Sequence, residues 1–100
     1  MNANGYERSL GSRTARSVVS EFHDLVAVVK RLRSEGGCPW DRAQSWESLR
    51  PYVLEEAFEL VEAIDRGDPV EVRKELGDVL FQVVLLARIG EEDGHFTMQD

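Results

Sequence analysis

A chain of 100 residues with a net charge of −7, 42% hydrophobic residues and one cysteine describes a single small domain with a modest core. The acidic balance argues against nucleic-acid phosphate as a ligand unless a metal helps, and Cys38 alone forms no internal disulfide and fits a reducing compartment. No apolar run approaches a membrane span or a signal-peptide core, so a cytoplasmic protein with no membrane partner is expected.

Residues 1–17 are polar and read as a flexible tail, leaving 18–100 as the folded domain. From Ser17 to about Ser34, Val18, Phe22, Leu25, Val26, Val29 and Leu32 recur at helical spacing. Lys30, Arg31 and Arg33 lie at the end, where the helix dipole favours cations. His23 and Asp24 lack a partner motif for metal and read as surface or packing residues. Gly36-Gly37-Cys38-Pro39-Trp40-Asp41 breaks the helix, with Asp41 or Ser45 able to cap the next one. Trp40 reads either as a core plug or as a wall for a nucleobase. No histidine lies near Cys38 in sequence to activate it as a nucleophile. Trp46, Leu49 and Tyr52 then lead into a second helix, where Pro51 suits only the first turn or a kink.

Nine of the 19 acidic residues fall between Leu54 and Asp78. Within that stretch, Gly67 suits a left-handed C-cap, Asp68 an N-cap and Pro69 a first helical position, so two helices meet at a tight turn. Residues equidistant from the turn of such a hairpin lie at about the same height. Glu56 and Asp78 are each eleven residues from Gly67, and Glu59 and Glu75 are each eight away. Two carboxylate pairs are thus expected to face each other, while Glu55 and Glu62 oppose Val79 and Val72 and belong to the rim. Four crowded carboxylates repel unless cations neutralise them, and an all-oxygen set favours Mg²⁺ or Mn²⁺ over zinc.

A solvated acidic face is the ordinary reading of a charge run. The second arm argues otherwise. Val72, Leu76, Val79, Leu80, Val83, Leu86 and Ala87 form one apolar stripe, and Phe81, Val84, Leu85 and Ile89 cover most of the opposite side. Glu75, Asp78 and Gln82 occupy the strip between. A helix apolar nearly all round is buried, and buried carboxylates need partners or metal. The first stripe is expected to pack on Leu54, Phe58, Val61 and Ile64 and on the first helix, leaving Phe81, Val84 and Leu85 for a second copy of the chain or, as the alternative, for a further C-terminal helix of the same chain.

With these residues in view, the chain resembles the MazG family of all-α nucleoside triphosphate pyrophosphohydrolases. The resemblance rests on Gly37-Cys38-Pro39-Trp40-Asp41 with Gln44, on Glu55-Glu56-x-x-Glu59, and on Glu75-x-x-Asp78, and covers roughly Phe22 to Asp100. It implies Mg²⁺-dependent cleavage between the α and β phosphates of a nucleoside triphosphate, releasing the monophosphate and pyrophosphate in nucleotide-pool house-cleaning. It also implies a further helix bearing basic residues after Gly94-His95-Phe96. The chain stops at Asp100, so the domain is read as truncated at its C-terminus.

Under this reading Glu56, Glu59, Glu75 and Asp78 hold the metal, and Glu55 is the general base for water, with Glu62 next in line. Trp40 and Gln44 are substrate-binding candidates, with Arg73 and Lys74 as phosphate contacts. The expected architecture is all-α, an antiparallel helical hairpin plus an N-terminal helix that completes a four-helix bundle as a homodimer or a dimer of dimers. A catalytically silent helical module that binds nucleotide or a protein partner is the alternative. A di-iron carboxylate bundle is weaker, because neither His23 nor His95 stands in a Glu-x-x-His pair.

Overall fold

The computed structural model describes residues 21–99, and every regular element among them is helical. The tail expected over 1–17, and the start of the first helix, lie outside the described residues. Helix α1 runs over residues 21–32. It is followed by the short α2 (Pro39–Arg42) and by the two arms of the hairpin, α3 (Trp46–Arg66) and α4 (Pro69–Glu92).

Each boundary has a local cause. Ser45 caps α3 through a reciprocal box: Ser48 N donates to Ser45 Oγ at 3.1 Å, and Ser45 N donates to Ser48 Oγ at 2.8 Å. Of the two expected caps, Ser45 takes the role, while Asp41 lies buried inside α2. Pro51 sits inside α3 without ending it. At the hairpin turn Gly67 adopts φ 69° and ψ 30°, a left-handed conformation that suits glycine, and Asp68 accepts from Val70 N and Glu71 N ahead of Pro69. The stop and start expected from Gly67-Asp68-Pro69 are therefore present in full.

The core lies at the end of the hairpin remote from this turn. Val29 of α1, Leu49 of α3 and Val84, Leu85 and Ile89 of α4 form it, with Leu25, Val26, Phe81, Leu86 and Met98 packed around them. The expected choice of faces is reversed here. Val84 and Leu85, assigned to a second copy, are buried within the chain, and Phe81 packs against the same cluster. Leu76, Leu80 and Val83, assigned to the interior, are exposed together with Leu54, Phe58, Val61 and Ile64. Helical periodicity shows that α4 has two apolar faces, but α1 crosses only one of them, and its position depends on the loop after residue 32.

That loop is held by a side chain. Arg33, 9% exposed, reaches the carbonyls of Asp41 and Gln44 and the carboxylate of Glu92, joining the α2 segment to the end of α4. At the same end Trp46 Nε1 donates to Leu86 O at 3.0 Å, and its ring stacks on His95 and Phe96, with centroids 5.2 Å and 6.3 Å away. Residues 93–99 thereby fold back over α4.

Candidate metal centre

The two arms bring acidic side chains together midway along the hairpin. Glu56 of α3 and Glu75 and Asp78 of α4 each offer a carboxylate oxygen within 4.8 Å of the others. Glu59 is not part of this closest group, but it stands within hydrogen-bonding reach of Glu75. Both mirror pairs counted from Gly67 therefore meet across the hairpin, because the tight turn lets the two arms rise in register.

Burial gives the cluster its character. Glu75 is only 5% exposed, and Glu56 and Asp78 are half-buried. Glu56 Oε2 and Glu75 Oε1 are shielded from solvent with no hydrogen-bond partner, as is Gln82 Oε1 one turn beyond Asp78. An unpaired buried acceptor is costly, and a buried anionic one more so. Desolvation, followed by the charges of Asp78, Glu59 and Glu75, pushes the Glu56 carboxyl above the usual glutamate range, against an opposing pull from Lys74. Glu59 is raised in the same way, by desolvation first and then by Glu75 and Glu55. Orphaned oxygens and crowded negative charge are what a hard divalent cation relieves, so the residues present fit such an ion.

The remaining candidates divide. Lys74 leans onto the cluster, its Nζ 3.4 Å from Glu75 Oε2 and 3.4 Å from Asp78 Oδ2, while Arg73 is exposed and makes no ion pair among the described residues. Glu55 and Glu62 are both exposed, at the rim, and Glu55 is near enough to act on the charge of Glu59. Trp40 is no core plug of this chain, being 46% exposed and edge-to-face with Tyr52 at 5.6 Å. Tyr52 is one helical turn before Glu56, so this aromatic pair flanks the carboxylates on the same side of α3. Gln44 has local duties: its Nε2 donates to Trp40 O at 2.9 Å, and its Oε1 accepts from Ser48 Oγ at 2.6 Å.

Sequence reasoning placed Gln82 beside the acidic residues but assigned it no role, and it read Tyr52 only as part of the lead into the second helix, not as the partner of Trp40. The signals present were the helical spacing of Gln82 from Asp78 and of Tyr52 from Glu56. Arg33 was read only as a dipole-favoured cation, and nothing in its spacing announces the carbonyls and carboxylate that it joins.

Residues 44–100 match the MazG nucleotide pyrophosphohydrolase domain family. The nucleoside triphosphate pyrophosphohydrolase/pyrophosphatase MazG of Thermotoga maritima is 52% identical over 79 residues, covering 79% of this chain and 31% of that protein. The nucleoside triphosphate pyrophosphohydrolase of Escherichia coli strain K12 is 43% identical over 83 residues, 82% of this chain and 32% of that protein. That of Mycolicibacterium smegmatis is 47% identical over 79 residues, 77% of this chain and 24% of that protein. The chain thus spans about a third or less of the length of these relatives. With the matched region extending over more than half of its residues, the chain belongs to the MazG nucleotide pyrophosphohydrolase domain family.

Proposed function

We propose that the chain hydrolyses nucleoside triphosphates to the monophosphate and pyrophosphate in a reaction that depends on a divalent cation. The observation that carries this reading is the buried Glu75 carboxylate, whose unpartnered Oε1 lies in a cluster with Glu56 and Asp78. The names of the relatives support the same activity. Glu56, Glu59, Glu75 and Asp78 would hold the ion. When bound, Mg²⁺, or Mn²⁺ in its place, supplies neutralisation of the triphosphate and polarisation of the α-phosphoryl group.

The chain's own residues supply the rest. Glu55, at the solvent side of the cluster, accepts a proton from the attacking water, and the bond between the α and β phosphates breaks. Trp40 and Tyr52 form an aromatic wall beside the carboxylates, and the exposed indole of Trp40 is available to a nucleobase.

The exposed band of Leu54, Phe58, Val61, Ile64, Leu76, Leu80 and Val83 runs along both arms of the hairpin. Leaving such surface in water costs roughly 25 cal/mol per Å² of apolar area, and a second hairpin packed antiparallel to the first would remove it. We therefore propose a homodimer, or a dimer of dimers, in which two hairpins form a four-helix core.

The test is pyrophosphate release from a panel of nucleoside triphosphates with and without Mg²⁺. Release that requires Mg²⁺ and disappears in Glu56→Gln is expected. Release at the unmodified rate by Glu56→Gln would remove this ligand assignment. Nucleotide binding with no turnover would leave a silent binding module.

A further inference from the structure

Among the described residues, Lys74 is the cation that touches the carboxylate cluster, and it does so in an unusual way. Its ammonium is 3.4 Å from Glu75 Oε2 and 3.4 Å from Asp78 Oδ2. Both contacts are longer than those of a tight charge-assisted bond, and the lysine side chain is 62% exposed. A lysine placed N-terminal to its acidic partner at i,i+4 is the less favourable order on a helix, so helix pairing alone does not account for its position. The acidic surroundings do. One ammonium touches Glu75 and Asp78, and its charge also acts on Glu56 and Glu59. The inner oxygens, Glu56 Oε2 and Glu75 Oε1, remain without a partner.

We infer that Lys74 is a resident counter-ion of this cluster, one that a divalent cation must displace on entering, so that Lys74 sets the affinity of the site for metal. The inference rests on the reading of the cluster as a divalent-cation site. A divalent ion brings two charges to where the lysine brings one, and it can meet the inner oxygens that the ammonium does not reach. The loose contacts and the flexible four-carbon stem allow the lysine to leave without disturbing α4. Lys74 therefore has two effects of opposite sign. Without metal, it partly relieves the repulsion among the carboxylates and so stabilises the fold. With metal, the same charge competes with the incoming ion and weakens its binding. A lysine that was merely solvated would do neither.

The experiment uses the full chain, as unmodified protein, Lys74→Met and Lys74→Arg, with Mn²⁺ alone as the probe. Free Mn²⁺ is followed by electron paramagnetic resonance, and thermal unfolding is recorded with and without Mn²⁺. Lys74→Met is expected to bind Mn²⁺ about fivefold tighter, an order-of-magnitude figure for the loss of two long ion pairs made by an exposed lysine. It should also melt lower than the unmodified protein without Mn²⁺ and gain more on adding it. Lys74→Arg, which keeps the charge, should stay close to the unmodified protein in all three measures. Mn²⁺ affinity in Lys74→Met equal to or weaker than the unmodified value overturns the counter-ion role while leaving the site itself standing. Unmodified protein that binds no Mn²⁺ overturns both.

Discussion

Arg33 grips Glu92 through both carboxylate oxygens, with Nη2 2.8 Å from Oε1 and Nε 3.1 Å from Oε1 and 3.2 Å from Oε2. Its remaining nitrogen, Nη1, donates to the carbonyls of Asp41 and Gln44 at 2.6 Å and 3.2 Å. One guanidinium therefore joins the end of α1, the α2 segment that carries Trp40, and the last turn of α4. Arg33→Met should lower stability by about 2–3 kcal/mol, since it leaves Glu92 and two carbonyls without this donor. Arg33→Lys should recover little, because an ammonium cannot match the planar fork. Urea unfolding curves compare the three proteins, and an unchanged midpoint for Arg33→Met would remove this role.

The same pair sets a pH dependence. Hydrogen bonding from Arg33 outweighs desolvation and holds the Glu92 carboxyl below its ordinary value of 4.5. A depressed carboxyl contributes stability above the unfolded value and loses it as pH falls through the folded one. Acid unfolding should thus be displaced toward neutral pH in Arg33→Met. Glu56 and Glu59 act with the opposite sign, because their raised values give stability below 4.5 that is lost as pH rises through them. Without divalent cations the melting temperature should fall as pH climbs through that raised range, and Mg²⁺ should suppress the fall. Melting curves across a pH series, with and without Mg²⁺, separate the two contributions.

Glu56→Gln should make the metal-free protein more stable while ending catalysis. The substitution removes one of the crowded charges and places an amide donor where Glu56 Oε2 now has no partner. A gain of about 1 kcal/mol corresponds to roughly 4–8 °C in melting temperature for a domain of this size. The stabilisation by Mg²⁺ expected of the unmodified protein should disappear at the same time. Scanning calorimetry with and without Mg²⁺ checks both, and a metal-free Glu56→Gln protein that melts lower would contradict the crowding argument.

Gly90 is a packing notch. A Cβ at this position would fall onto the Phe96 ring, which stacks on Trp46 in the segment folded over α4. Gly90→Ala should cost about 1–3 kcal/mol, through displacement of that ring from its stack on Trp46. Because the indole of Trp46 loses part of its cover, its fluorescence should shift to longer wavelength. Unchanged emission together with unchanged stability would mean that residues 93–99 pack differently.

Trp40→Ala should raise KM more than it lowers kcat if the exposed indole stacks on the base. Nucleotide titrations that cannot distinguish Trp40→Ala from the unmodified protein would leave the edge-to-face contact with Tyr52 as its whole role.

Phe58→Glu and Leu80→Glu should convert an associated protein to monomer, because both residues belong to the exposed hairpin band. Phe81 is the wrong place for this test. It packs against the chain's own core, so a charge there would unfold the protein rather than separate copies. Sedimentation of the unmodified chain as a folded monomer at micromolar concentration would end the proposal of self-association.

How much of this was legible in the sequence differs by element. The hairpin and its two carboxylate pairs came from local rules, because Gly67, Asp68 and Pro69 carry their conformational preferences wherever they occur and helical rise is nearly constant. Counting from the turn then placed Glu56 opposite Asp78 and Glu59 opposite Glu75. The tertiary structure decided which apolar face of α4 is covered. Val84 and Leu85 are buried and Leu80 and Val83 exposed because α1 approaches from one side, and its direction is set by Arg33 gripping the loop and Glu92. No periodicity encodes that choice, since both faces are apolar and either could satisfy the helix. The partnerless state of Glu75 Oε1 likewise emerged only in three dimensions. Spacing along one chain says which carboxylates meet, whereas burial and the reach of Lys74 depend on the packing of the two arms.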